Sequence, residues 1–352
     1  MVTISDVAKD AGVSVSTVSY VLSGKRPISA TTRERVERSI SSLGYHPQAS
    51  ARALASNRSS ALALVVPLRR DVIVPVIMQF ASGVVVTART HDHDVLLMTQ
   101  DEGAGGLQRV SGSGLVDALI VMDVEAQDPR VEVLRGLRQP AVLIGLPDDP
   151  RGLGCVDLDF AAAGRVLARH LAEHGHRALA LLGPSPAVYD RGTSFATRFL
   201  RGYQQAAEEE GVRAVAHACE PSFAGVAAWL DRVESELPGL SALVVHNEAA
   251  LAPLLSVLSA RGRRVPEDLS VVALCPADVA VSFPVPLSAV EIPAATIGEL
   301  AVEMVLDQLE GRAQPSVRLL PPEFHERASC GPAPRPATPR PRRSRATARM
   351  GS

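Results

Sequence analysis

Aromatic side chains are scarce in this chain. One Trp, four Tyr and seven Phe make up 3% of 352 residues, so Val, Leu and Ala must fill any core, for which a hydrophobic content of 46% is ample. Lysine is nearly absent: Lys9 and Lys25 stand within a combined Lys and Arg count of 36, a compositional bias with no chemical message. The four cysteines, Cys155, Cys219, Cys275 and Cys330, lie far apart and form no C-x-x-C pair. That argues against a disulfide framework or a zinc site and fits a reducing compartment. No apolar run reaches membrane-spanning length. The opening "MVTISDVAKDAG" lacks the apolar stretch of a secretory signal, so a cytoplasmic location is expected. Enzyme signatures are missing as well. There is no P-loop and no G-x-G-x-x-G opening a helix after a strand, and "GPSPA" around Ser185 is not a nucleophile elbow. Neither a catalytic activity nor a cofactor is expected.

What is present is an uneven charge distribution. Residues 1–60 hold eight Lys/Arg against four Asp/Glu, and residues 331–352 hold six Arg and no acid, yet the formal net charge is −2. The body between them is therefore acidic. A basic head on an acidic body points to a polyanionic partner at the head.

The head reads as three short helices. Thr3 caps the first, with Asp6 in capping-box position, and Gly12 ends it. Ser14 caps a second that runs to about Leu22, and Ser29 caps a third, "ATTRERVERSISSL", which stops at Gly44. Within "AGVSVSTVSYVLSG", Ala8 and Gly12 are small enough for a close helix crossing, and Val13, Val18 and Val21 or Leu22 fill the contact. Val15, Ser16 and Tyr20 are left pointing outward, with Thr17 and Ser19 flanking them. Two helices across a glycine turn, the second studded with hydroxyls, read as a helix-turn-helix able to lie in a major groove. A bundle that merely docks on the body is the bland alternative.

From Ala61 onward apolar runs of strand length recur: "ALALVVPL", "DVLLM", "ALIVM", "AVLIGL", "ALALLG", "ALVVHN" and "SVVALC". Amphipathic segments such as "AAAGRVLARHLAEHG" and "RFLRGYQQAAEEEG" separate most of them. Alternation of this kind predicts doubly wound parallel sheets, and the length predicts two lobes. Residues 329–352, Pro- and Arg-rich, read as a disordered basic tail. Two histidine clusters carry no metal expectation. "HDHD" (His91 to Asp94) sits where a helix returns to a strand, and His170 and His174 in "HLAEHGH" lack the glutamate placement of a zinc-protease helix and read as surface and helix-end residues.

The stretch "TISDVAKDAGVSVSTVSYVLSG…ISATTRERVERSISSLGYHPQASARALAS" resembles the headpiece of the LacI/GalR family of bacterial transcription repressors, and the body is similar to that family's periplasmic-binding-protein-like effector domain. The resemblance covers residues 1 to about 328. It implies a headpiece over 1–46, a hinge helix and linker over 47–60, and a body over 61–328 with lobes at about 61–159 plus 290–322 and at about 160–289. It implies base reading by Val15, Ser16 and Tyr20. The family's usual Arg is Tyr20 here, which can donate one hydrogen bond or pack on a thymine methyl but cannot grip guanine with two bonds. Phosphate contacts are implied for Thr3, Ser14, Thr17, Ser19, Ser29, Thr32 and Tyr45. Leu54 occupies the place of a leucine that wedges into the minor groove, one from each subunit of a homodimer on a pseudo-palindromic operator of double-stranded DNA. In the body the resemblance implies a small-molecule effector, most simply a sugar, in a cleft between the lobes, contacted by Asp159, Arg198, Asn247, Cys275 and Asp278. Cys275 stands where the family has an Asp, and "NE" at Asn247 stands where Asn-Asp is usual. No leucine heptads follow, so a dimer and not a tetramer is expected. The rival readings are a stand-alone solute-binding protein of the same body fold and a regulator with a non-sugar effector or none.

Overall fold

A computed structural model describes residues 2–23, 26–45, 58–69 and 73–334. The first helices are α1 (Ile4–Asp10), α2 (Val15–Ser23) and α3 (Ala30–Leu43). Thr3 and Asp6 form a reciprocal capping box: the Thr3 N–H donates to Asp6 Oδ2 at 2.8 Å and the Asp6 N–H to Thr3 Oγ1 at 3.3 Å. These Thr3 bonds hold the Asp6 carboxyl below its usual range. Gly12 then adopts φ +64, which lets the Val13 N–H reach back to Ala8 O at 3.0 Å and ends α1. Ser14 caps α2 through the Thr17 N–H at 3.2 Å, and Ser29 caps α3 through the Thr32 N–H at 3.3 Å. The small core of this bundle is Val7, Ala8, Ala11, Val18, Val21, Val36 and Tyr45, with Val13, Leu22, Ile40 and Leu43 packed around it.

Two compact units follow from the chain path. One comprises Met1–Asp159, Ala187–Thr197 and Pro293–Pro321; the other comprises Phe160–Pro186, Arg198–Ile292 and the segment from Pro322. The excursion of 187–197 into the first unit was not foreseen.

The first unit's sheet has the order β11-β5-β4-β3-β1-β2, all parallel, from β1 (Ala61–Val65), β2 (Asp94–Met98), β3 (Ala118–Val121), β4 (Ala141–Ile144), β5 (Gly154–Leu158) and β11 (Val317–Leu320). Its helices include α4 (Val74–Thr90), α5 (Gly103–Gly112) and α6 (Arg130–Gly136). The second unit's sheet repeats the pattern as β12-β10-β9-β8-β6-β7, from β6 (Ala178–Gly183), β7 (Arg213–Ala218), β8 (Ala242–Val245), β9 (Ser270–Cys275), β10 (Ser288–Glu291) and the short antiparallel β12 (Phe324–His325). Between these strands run α7 (Phe160–Glu173), α8 (Pro186–Asp190), which belongs to the first unit from Ala187, α9 (Ser194–Glu209), α10 (Phe223–Glu236), α11 (Glu248–Ala260) and α12 (Ala277–Val281); α13 (Ala294–Leu309) returns to the first unit.

β2, the "DVLLM" run, is an edge strand with Leu96 39% and Leu97 41% exposed. One expectation needs correction. Residues 329–334, expected in a disordered tail, are packed on the second unit. Ser329 and Cys330 are buried, and the Ala333 N–H donates to His174 O at 2.9 Å. At the other end of the body, the Asp117 carboxylate accepts the Ser59 and Ser60 N–H groups at 2.8 Å each.

Each unit contains one helix crossing that only glycine permits. In the first, a methyl group on Gly83 of α4 would collide with the Ala295 carbonyl of α13, and one on Gly298 would meet the Phe80 carbonyl. In the second, a methyl on Gly164 of α7 would strike the Phe199 carbonyl, and one on Gly202 of α9 the Ala161 carbonyl. Backbone is what would have to move, so Gly202→Ala is expected to cost about 1–3 kcal/mol, the range for an overpacked core. Denaturant unfolding checks this, and an unchanged midpoint would refute the close crossing.

Candidate nucleic-acid interface

The outward face of α2 is built by its own packing. Val18 and Val21 point into the bundle, at 0% and 7% exposure, and that fixes which residues remain outside. Val15 is 43% exposed, Ser14 and Ser16 are exposed, and Thr17, Ser19 and Tyr20 are partly so. Ser14 Oγ and Thr17 Oγ1 are 2.8 Å apart, so the two hydroxyls share a hydrogen bond at the helix N-terminus. The first turn of α2 has no acidic residue, which leaves its positive end open to an anion. The Arg26 guanidinium lies over the Tyr20 ring, 5.1 Å from its centroid, as a cation on a π face. Nothing in the sequence had singled out Arg26.

Among the expected phosphate contacts, Thr3, Ser14 and Ser29 are exposed, and each also serves as a helix cap. Thr32 is tied to Ser29 by a 2.8 Å hydroxyl bond. Tyr45 is different. It is 6% exposed and packs in the three-helix core, so its ring holds the end of α3 in place and is not a surface group. Leu54 and residues 47–57 of the expected hinge lie outside the described residues.

In the second unit, polar groups gather where strands end. Asn247 follows β8, is 5% exposed, and its Nδ2 donates to Gly183 O at 3.2 Å and Cys219 O at 3.0 Å. Those bonds tie the ends of β6 and β7 together, so the amide nitrogen is occupied structurally. Cys275 ends β9 with 0% exposure, and burial, with Glu248 adding to it, pushes its thiol up to about 12. Cys275 belongs to the hydrophobic core of the second unit. Asp278 is exposed on α12, and the Arg198 guanidinium lies 5.4 Å from the Phe160 ring centroid. Sequence reasoning missed His246, which is buried beside Phe199 at 4.2 Å and Phe160 at 5.9 Å between ring centroids. Burial pushes that imidazole down to about 3, so it is neutral. Glu248 opens α11, and its enclosure pushes the carboxyl up to about 7.

In the first unit Asp159 follows β5, partly buried, with its N–H on Leu320 O at 2.8 Å. A larger charged cluster at the same ends of this sheet was missed. Arg69, after β1, pairs with Asp101, after β2, at 2.8 Å and with Asp123, after β3. Arg191 adds a second cation 3.9 Å from Asp123. Asp123 has φ +56, a conformation that puts its carbonyl where Arg130 Nη2 donates at 2.7 Å. Burial alone would raise the Asp128 carboxyl, but its paired bonds from Arg130 hold it below the usual range. Glu125 goes the other way, raised by burial and by the Asp128 charge.

With this geometry in place the likeness to known proteins can be read. Residues 3–48 match the family described as "Bacterial regulatory proteins, lacI family", and residues 168–330 match a periplasmic binding protein-like domain. The chain belongs to the lacI family. Similar lacI-family proteins include the HTH-type transcriptional regulator CelR of Thermobifida fusca, 29% identical over 90% of this chain and 95% of that protein. The HTH-type transcriptional repressor CytR of Escherichia coli K12 is 28% identical over 88% of this chain and 90% of that protein. A solved CelR–cellobiose complex superposes with a TM-score of 0.67 at 26% identity, covering 94% of this chain and all of that one. The lac repressor dimer bound to operator and the anti-inducer ONPF has the same fold, with a TM-score of 0.80 at 24% identity over 94% of this chain and 99% of that one. In this lacI-family chain no described helix is long and apolar enough to cross a membrane.

Glu248 makes the second unit's stability depend on pH. Its pKa in the folded chain, about 7, lies above the ordinary 4.5, so the folded state binds the proton more tightly and stability falls as pH rises from about 4.5 through about 7. Thermal melts at pH 5 and pH 8 are expected to differ by roughly 5–10 °C, the scale of about 2–3 kcal/mol that this shift is worth over that window, and Glu248→Gln should flatten the difference. An unaltered slope in that variant would show that another group carries it.

Proposed function

We propose that this protein is a sequence-specific DNA-binding transcriptional repressor whose hold on its operator is set by a small carbohydrate. The observation that carries the reading is the exposed face of α2. Val15, Ser16 and Tyr20 stand clear of the bundle, flanked by hydroxyls and by an uncompensated helix N-terminus. Such a face lets hydroxyls and backbone N–H groups take phosphates while the three outward side chains meet base edges. Arg26 behind Tyr20 and the exposed Arg33, Arg35 and Arg38 add positive charge to the same small domain.

Two headpieces on a twofold site require a homodimer. A surface for it is present in the first unit. The α4 helix exposes Met78, Val85 and Val86, and the adjoining edge strand β2 exposes Leu96 and Leu97. Exposed apolar side chains beside an open strand edge support self-association. A carbohydrate suits the strand-end groups, since planar carboxylates, guanidiniums and amides pair with sugar hydroxyls, and Arg198 over Phe160 offers a ring face as well. That the similar CelR is known as a cellobiose complex favours an oligosaccharide. The sugar acts only through its different affinity for the DNA-competent and DNA-incompetent states. A DNA partner supports a cytoplasmic location. The solute-carrier reading leaves the α2 face without a purpose.

Selection of bound genomic fragments, followed by displacement with candidate sugars in fluorescence anisotropy, tests the whole reading; equal binding to all duplexes, with and without sugars, would end it. Log affinity should fall with log salt by roughly 0.9 per phosphate contact, and a flat profile would count against a phosphate-clamped headpiece. Leu54→Ala should weaken specific binding far more than non-specific binding, because a wedge acts only where DNA is kinked; equal losses would refute the wedge. Leu97→Glu should convert the dimer to monomer in sedimentation, and a dimer that persists would move the interface elsewhere.

A further inference from the structure

The second unit holds a cluster that regulation of DNA does not use. His170, four residues before His174, lies near the end of α7, and Cys330 comes from the segment after β12. One ligand atom from each of these three residues lies within 4.8 Å of the others. The sequence reading took the two histidines as surface and helix-end residues, because the thiol that completes the group is far downstream.

Several features prepare this group. The His174 Nδ1 faces His170 O at 2.8 Å. A carbonyl only accepts, so Nδ1 carries the proton and Nε2 keeps its lone pair, the tautomer that binds a metal through Nε2. The His170 Nε2 is buried and has no hydrogen-bond partner among the described residues. Its ring is held between that of His174, at 4.3 Å, and that of Phe324, at 4.4 Å. Cys330 is fixed from both sides. Ser329 exchanges bonds with Val271, its N–H acceptor being Ser329 O at 2.8 Å and its carbonyl taking Ser329 Oγ at 2.6 Å. Gly331 O accepts from His176 Nε2 at 3.1 Å, and the Gly331 N–H donates to Ser270 Oγ at 3.1 Å. Glu326 Oε1 lies 3.7 Å from His174 Nε2, close to the ligand-to-ligand edge of about 3.3–3.6 Å that tetrahedral zinc bonds of 2.0–2.3 Å imply.

We propose that His170, His174 and Cys330, with Glu326 as fourth ligand, form a zinc(II) site that staples the segment after β12 to the end of α7. Two imidazoles, one thiolate and one carboxylate are a donor set that favours zinc over magnesium or calcium. Four protein ligands leave no open position, so the site is structural. Glu326 is 61% exposed and His174 28% exposed, which gives the ion a way in, and Glu326, which lies outside the group of three, must turn in from beside His174 to complete the set.

The test uses the full chain after treatment with chelator. Titration calorimetry with zinc alone is expected to give one ion per chain at submicromolar affinity. Cobalt(II) should give a thiolate-to-metal charge-transfer band and the visible spectrum of tetrahedral coordination. Cys330→Ser should delete the charge-transfer band, and Cys330→Ser and His170→Gln should each lower zinc affinity at least 100-fold. His174→Asn, at a partly exposed position, serves in case either variant fails to fold, and His217→Asn, at a histidine paired instead with Glu236, should bind zinc like the parent. Absence of stoichiometric zinc binding, a charge-transfer band that survives Cys330→Ser, or equal affinity in folded His170→Gln or His174→Asn would overturn the site.

Discussion

Parallel strands covered on both faces leave little room for polar side chains along their length. In each sheet the middle strands are buried from end to end, so a charged or hydrogen-bonding group can enter only where a strand stops and its loop begins. That constraint explains why Arg69, Asp101 and Asp123 meet although they follow three different strands. It also explains why Asn247, just past the end of β8, finds two carbonyls to satisfy, while Cys275, still the last residue of β9, is buried. The functional chemistry of each unit is a consequence of its sheet order, which is the same in both.

The headpiece obeys a different economy. Three short helices cannot bury enough surface to rely on packing alone, so they lean on caps. Thr3, Ser14 and Ser29 each close a helix start, and Gly12 and Gly44 each close a helix end with a left-handed backbone. The same hydroxyls stand at the positively charged ends of their helices. Tyr45 is drawn into the core: a side chain that holds α3 against α1 and α2 is no longer a surface group.

Regulation asks the body to bias the headpieces, and the body has the rigidity for it. The Gly83–Ala295 and Gly164–Phe199 crossings bring helix backbones into contact within each unit. Backbones packed this closely resist gradual deformation, so a ligand is expected to move units as bodies and not to soften them. A zinc staple at His170, His174 and Cys330 would extend that rigidity to the last described segment of the chain.

The headpiece was legible because its signals are local. Caps, a glycine turn and a valine stripe at helical spacing identify α1 to α3 with no knowledge of anything else, and α3 runs over the residues read for it. Seven apolar runs likewise announced strands β1, β2, β3, β4, β6, β8 and β9, while "GCVDL" and "RAVAHA" went unread because small or polar residues interrupt them. Which strand lies at an edge was not legible. "DVLLM" is as apolar as its neighbours, and only sheet order leaves Leu96 and Leu97 uncovered. The same holds for Arg26 over Tyr20, His246 between two phenylalanines, and Cys330 beside His170. By itself the sequence determined the elements and the character of the reading helix, because capping and periodicity act over a few residues. The tertiary structure alone decided which distant side chains share a site, because that depends on where each strand ends relative to the others, a distance no local pattern encodes.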